Sequence, residues 1–176
     1  MSKILVVIDM QNDFIDGVLG TKEATEIVDK VTQKIKEHDG TILFTRDTHD
    51  DLYLQTQEGK NLPVVHCIYN SKGWELVPSV KQLAEERNCK IFDKTTFGSP
   101  QLAHYAALIC AEEEIECIEL IGVCTDICVI SNALLLKSII PEIPIYVNAS
   151  YCAGVTPETH RTALEAMKMC QIQIID

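Results

Sequence analysis

Cys128 closes the run Gly122-Val123-Cys124-Thr125-Asp126-Ile127-Cys128, in which a short apolar stretch gives way to a helical repeat ending at Leu134-Leu135-Leu136-Lys137. Such a change of period reads as strand, tight turn, helix. Thr125 suits an N-cap and Asp126 the positive end of a helix dipole, so the pattern predicts a helix over 126–137 with Cys128 in its first turn. Unpaired backbone N–H groups there favour a thiolate, the form in which cysteine is a nucleophile. Lowering a thiol pKa by two units takes about 2.7 kcal/mol, a load for a helix terminus and a nearby cation together. The competing reading makes Cys128 one small apolar residue in a cysteine-rich core.

Other reactive side chains fall at the ends of apolar runs. Asp9 follows Ile4-Leu5-Val6-Val7-Ile8, and Lys94 follows Ile91-Phe92-Asp93. A carboxylate at the end of a buried strand is costly without a cation, and Lys94 is the evident partner, although a lysine there also reads as a solvated loop charge. Asp47 and His49 alternate in Thr45-Arg46-Asp47-Thr48-His49, so both can point one way, and His66 arrives after a long loop. Imidazole with carboxylate suits a divalent ion such as zinc, manganese or iron. An isolated histidine is more often a surface or core residue, and Asp50 and Asp51 read as solvated charges.

The elements that must position these groups alternate in type. Strand-like runs occur at 3–8, 41–45, 90–92, 117–121, 145–147 and 171–174. Helix-like stretches occur at 21–38, 76–87, 100–111, 126–137 and 157–169, the last opened by Thr156 as N-cap and Pro157 at the first helical position. Near-continuous apolar strands between amphipathic helices predict a three-layer, doubly wound α/β fold: a central, mostly parallel six-stranded sheet with helices on both faces. Ligands in such folds sit beyond the carboxyl ends of the strands, where Asp9, Asp47, Lys94 and Cys124–Cys128 gather. The loop from Leu52 to Trp74 is too long to be a bare connection, and loops of that length are usually functional.

At 176 residues the chain is read as one domain, 1–176, with a sizeable core. A net charge of −11 argues against nucleic acid and anionic membrane surfaces as partners. No run has transmembrane length, and the first apolar run is too short for a signal peptide. Eight cysteines without a secretion signal indicate reduced thiols and a cytoplasmic protein. Cys124 and Cys128 lack the second pair that a zinc knuckle needs. The apolar groups of Leu134-Leu135-Leu136 and Ile139-Ile140 exceed one helix face, which fits either a subunit contact or a buried crossover helix.

Asp9-Met10-Gln11-Asn12-Asp13-Phe14, Phe92-Asp93-Lys94 and Gly122-Val123-Cys124-Thr125-Asp126-Ile127-Cys128-Val129, in that order and spacing, resemble the isochorismatase-like cysteine hydrolases across nearly the whole chain. Asp47-Thr48-His49 and Leu62-Pro63-Val64-Val65-His66-Cys67 look like the metal site of the nicotinamidase branch. The resemblance implies Cys128 as nucleophile, Asp9 as acid–base and Lys94 as the cation between them. It further implies a cis peptide entering Cys124 and an oxyanion hole formed by the N–H groups of Cys124 and Cys128. Asp47, His49 and His66, with Glu58 as a candidate fourth ligand, are then expected to hold a divalent ion, zinc first and manganese or iron as alternatives. Phe14 and Phe97 are expected to pack on the substrate ring.

The activity so implied is hydrolysis of nicotinamide, or a similar small carboxamide, to the acid and ammonia in NAD salvage, by a homo-oligomer. Two departures stand out: Gln55 and Pro63 occupy places where some nicotinamidases have His and Trp. A related hydrolase of another small amide, a carbamoyl compound or isochorismate is the alternative enzyme. The non-enzyme alternative is a silent relative serving as a partner domain, and the presence of Asp9, Lys94 and Cys128 counts against it.

Overall fold

A computed structural model describes residues 2–176. Six strands form one sheet: β1 (Ser2–Ile8), β2 (Thr41–Asp47), β3 (Lys90–Lys94), β4 (Ile115–Val123), β5 (Ile145–Ala153) and β6 (Gln173–Ile175). The order across the sheet is β3-β2-β1-β4-β5-β6, and all five pairings are parallel, where the sequence had suggested a mostly parallel sheet. β1 reads as a continuous apolar run because both of its faces are covered. Ile4, Val6 and Ile8 face one core, Leu5 and Val7 the other, and all five are fully buried, each contributing about 1.5–3 kcal/mol.

Among the described residues there are seven α-helices: α1 (Asn12–Ile15), α2 (Lys22–Glu37), α3 (Gln57–Asn61), α4 (Pro78–Glu86), α5 (Pro100–Glu112), α6 (Ile130–Ile139) and α7 (Pro157–Met169), all but α3 packed on the sheet. α5, α6 and α7 pack on one face through Leu102, Ala106, Ala133, Leu136 and Met167. α1, α2 and α4 cover the other through Phe14, Ile27, Val31, Ile35 and Val80. Thr21 accepts from Ala24 N at 3.0 Å, and Thr156 closes a capping box with Thr159, so these two helix starts follow their capping residues. Leu136 is in the core, with Leu135, Ile139 and Ile140 packed against it, so much of the apolar excess of α6 is spent within the chain.

Several expectations need correction. The helix expected from residue 126 is α-helical only from Ile130; Thr125–Val129 is a π-turn with Cys124 at its N-cap. Thr125 does not cap it, because its hydroxyl is engaged by His160 Nδ1 at 2.7 Å. The helix expected over 76–87 opens at Pro78, since Leu76 and Val77 are spent bridging Gln11 and Met10. β5 runs to Ala153, well past the apolar stretch, by pairing with β4 across a register shift between Leu120 and Gly122. Asp47 and Lys94 are the last residues of β2 and β3 and do not lie beyond them. The 52–74 loop contains α3 and a 3₁₀ turn, Tyr53–Gln55, that the sequence pattern did not mark.

Gly122 sits at φ 115°, and a Cβ there would come 2.1 Å from Ile8 O. Gly122→Ala should therefore lower stability by at least about 2 kcal/mol, read as a fall in the urea midpoint at unchanged m-value; an unchanged midpoint would show that the β1–β4 junction tolerates a side chain.

Candidate active site

Strand order reverses between β1 and β4, and the reactive groups meet there, at the carboxyl edge of the sheet. Asp9, the first residue beyond β1, turns back at φ 46°. Its Oδ1 accepts a hydrogen bond from Thr45 Oγ1 at 2.6 Å, and its Oδ2 lies 2.7 Å from Lys94 Nζ. That ion contact is off the axis of a hydrogen bond and leaves Oδ2 without a directed donor. Lys94 reaches Cys128 Sγ at 3.5 Å and Asp47 Oδ1 at 3.4 Å, and donates to Thr96 O at 3.1 Å. Asp9, Lys94 and Cys128 are all buried.

The electrostatics differ from the expectation of a resting thiolate. Burial, and then the Asp9 carboxylate, push the Cys128 thiol well above the usual cysteine value, and Lys94 offsets this only in part. Burial also lifts Asp9 above the ordinary carboxylate range, against the pull of Lys94. For Lys94 burial works against the charge, but Asp9, Cys128 and Asp47 together hold its pKa above the ordinary lysine value. The Cys128 and Asp9 shifts both run against a resting thiolate and towards a more basic Asp9. Burial and Asp126 push Cys124 up to about 12.

The π-turn presents Cys128 by a bond from Val129 N to Cys124 O at 3.0 Å, and the peptide between Val123 and Cys124 is cis. Asn132, which sequence reading did not single out, donates to Cys128 O at 2.8 Å and accepts from Ser99 N at 2.9 Å, tying the turn to the loop after β3.

The metal-type residues also converge. One donor atom from each of Asp47, His49, Glu58 and His66 lies within 4.8 Å of the others. His49 Nε2 is 2.9 Å from Asp47 Oδ2 and 3.5 Å from Glu58 Oε1. His66 Nδ1 donates to Val64 O at 2.7 Å, which turns Nε2 towards the carboxylates. Burial disfavours charge on His66, but the Asp47 carboxylate 3.5 Å away and the hydrogen bond to the Val64 carbonyl raise its pKa; burial, then Asp47, raises Glu58. Burial opposes the charge on Asp47, yet the hydrogen bond with His49, the nearby His66 imidazole and the pull of Lys94 hold its pKa below the ordinary range. Two carboxylates this close to each other are relieved by a cation, and two imidazoles with two carboxylates form a donor set suited to a divalent transition ion. Tyr53, another residue missed, is buried with its ring centroid 4.6 Å from His49 and 4.9 Å from His66.

Both groups border a cavity of about 200 Å³ lined by Phe14, Phe97, Cys124, Cys128, Asp47, Glu58 and His66 among others, and predominantly apolar. Phe14 is buried with its ring centroid 5.6 Å from His66, whereas Phe97 is 42% exposed and stands at the mouth. A cavity below the usual range of about 300–1,000 Å³ admits a small single-ring molecule.

An all-parallel three-layer sandwich with a cysteine, a carboxylate and a lysine at its switch point defines a class, and the family model for the Isochorismatase domain matches residues 3–176: the chain belongs to that family. Among solved structures it is similar to the pyrazinamidase of Pyrococcus horikoshii in complex with zinc, 26% identical, TM-score 0.81, covering 100% of this chain and 99% of that one. It is equally similar to the pyrazinamidase/nicotinamidase of Streptococcus mutans, 26% identical, TM-score 0.83, covering 99% and 100%. The nicotinamidase of Saccharomyces cerevisiae is 29% identical over 122 residues, 52% of this chain and 56% of that protein, so the match spans under two thirds of the yeast enzyme. Among the described residues no helix is long and apolar enough to cross a membrane, and all eight cysteines are free.

Because Lys94 is the charge that lowers the Cys128 pKa, alkylation of Cys128 by iodoacetamide should still be rising at pH 9. Lys94→Met should displace that profile to higher pH, with circular dichroism reporting the fold and mass spectrometry separating Cys128 from exposed Cys170. Overlaying profiles would show that the ammonium does not act on the thiol.

Proposed function

We propose that the protein hydrolyses nicotinamide, or a closely similar ring carboxamide, to the acid and ammonia, within NAD salvage. The observation that carries this reading is Cys128 on the wall of one small apolar cavity, backed by Lys94 and Asp9 behind it and beside a four-residue N/O donor group. The names of the relatives, pyrazinamidase and nicotinamidase, support the same substrate class.

The proton begins on sulfur. As Cys128 Sγ bonds to the carboxamide carbon, Asp9 takes the thiol proton. Lys94 keeps its charge throughout and stabilises whichever of the two partners is anionic. Asp9 returns the proton to the departing nitrogen, the C–N bond breaks, and ammonia leaves a thioester on Cys128. Water activated by Asp9 then cleaves the C–S bond, giving the acid and restoring the thiol. The backbone N–H groups of Cys124 and Cys128 are assigned to the oxyanion, a role worth about 2.7–4 kcal/mol per donor in other acyl-transfer sites.

Asp47, His49, Glu58 and His66 fit a divalent ion, zinc in our reading, and the Pyrococcus structure in complex with zinc supports that choice. When bound it would supply a Lewis-acid contact for a ring nitrogen of the substrate. Phe14 would hold the ring by its face and Phe97 would close the mouth.

Cys128→Ala should cut ammonia release from nicotinamide by at least about 10⁴-fold, while Cys124→Ala, whose role is assigned to the backbone, should stay within about tenfold of the parent. Equal losses would remove the assignment. Chelation should abolish nicotinamide turnover but leave Cys128 open to alkylation, and His49→Ala and His66→Ala should each lose the ion by elemental analysis. Full activity in metal-free protein would eliminate the metal role, and metal-replete protein inert on nicotinamide would shift the substrate to another small amide.

A further inference from the structure

The segment just after Asp9 carries three polar residues, Gln11, Asn12 and Asp13, and the structure spends their side chains on internal hydrogen bonds. Gln11 is fully buried. Its Oε1 accepts from Asp47 N at 2.7 Å, and its Nε2 donates to Asp47 O at 2.8 Å and to Trp74 O at 2.9 Å. The amide thus grips both main-chain groups of one donor residue and the far end of the long loop at once. Two residues on, Asp13 Oδ2 accepts from Cys67 N at 2.8 Å, beside His66. Gly73 lets the loop pass: a Cβ there would fall 2.1 Å from Asp13 Oδ2.

Main-chain bonds fix the rest of the frame. Asn12 N donates to Glu75 O at 2.9 Å, Asp13 N to Gly73 O at 3.0 Å, and His49 N to Cys67 O at 3.0 Å. The donor side chains at 47, 49 and 66 therefore come from two chain segments registered on a single template, 11–13.

We infer that Gln11 and Asp13 are positioning residues for the metal centre: Gln11 sets the main chain of Asp47, and Asp13 sets the peptide that follows His66. The inference rests on the metal reading above. Neither side chain belongs to the donor set, so their effect acts through the orientation of the donors, which in other metal sites is worth 10–100-fold in affinity.

Zinc affinity of the purified full chain, measured by competition with a chromophoric chelator, tests this directly. Gln11→Met and Asp13→Ala should each weaken zinc about 10–100-fold, whereas Asp13→Asn, which keeps an oxygen to accept from Cys67 N, should stay within about threefold. Alkylation of Cys128 in the stripped variants should match the parent, which a general loss of structure would not allow. If Gln11→Met fails to fold, the Asp13 pair decides. A parent that binds zinc while Gln11→Met and Asp13→Ala bind it equally well overturns this inference alone, as does a parallel loss of Cys128 reactivity. A parent without measurable zinc binding overturns the metal reading and the inference together.

Discussion

One ammonium group organises this molecule. Lys94 Nζ is buried with Asp9, Asp47 and Cys128 around it, and a charge in that position persists only if its partners are held in place. Removing it would leave the buried Asp9 carboxylate with the Thr45 hydroxyl as its one side-chain partner and no cation. The same constraint explains why Asp9 and Lys94 come from separate strands, central β1 and outermost β3: no local segment brings a carboxylate, a lysine and a cysteine to one point, whereas parallel strands deliver their carboxyl ends to one edge. The packing of β1 between two apolar layers is thus the mechanical support of the charge cluster.

Much of this was legible from residue types at strand ends. The apolar runs marked β1 to β4, and the reactive residues stood out because core packing has no use for them there. The acidic and imidazole donors were legible too, through the alternation of Asp47 and His49. Glu58 was the least certain from the sequence, and the structure explains its placement locally: Thr56 accepts from Gly59 N and caps α3, which sets Glu58 in the first turn facing the histidines.

What the sequence hid depends on distant partners. Thr125 has every property of an N-cap, yet His160, 35 residues away, takes its hydroxyl, and the backbone widens into a π-turn. Asn148-Ala149-Ser150 has little strand propensity, yet β5 runs through it because Asn148 pairs with Ile175 of β6 and the pairing with β4 resumes at Cys152. Gln11, Thr45 and Asn132 read as ordinary polar residues because a single sequence does not say which main-chain groups they meet. The thiolate expectation meets an opposing influence of the same kind: a helix terminus favours the anion, but full burial beside a carboxylate pushes the thiol the other way.

Asp47 links the two halves of the site. One of its oxygens lies 3.4 Å from Lys94 Nζ, and the other lies 2.9 Å from His49 Nε2 and 3.5 Å from His66 Nε2. The nucleophile side and the donor side therefore share a carboxylate, and neither can be rebuilt alone. That sharing gives the template of residues 11–13 its importance: Asp9 begins the turn and Gln11 ends it, with Gln11 N donating to Asp9 O at 2.7 Å, so one stretch of five residues fixes the catalytic carboxylate and, through the Gln11 amide and Asp13, both chain segments of the donor group.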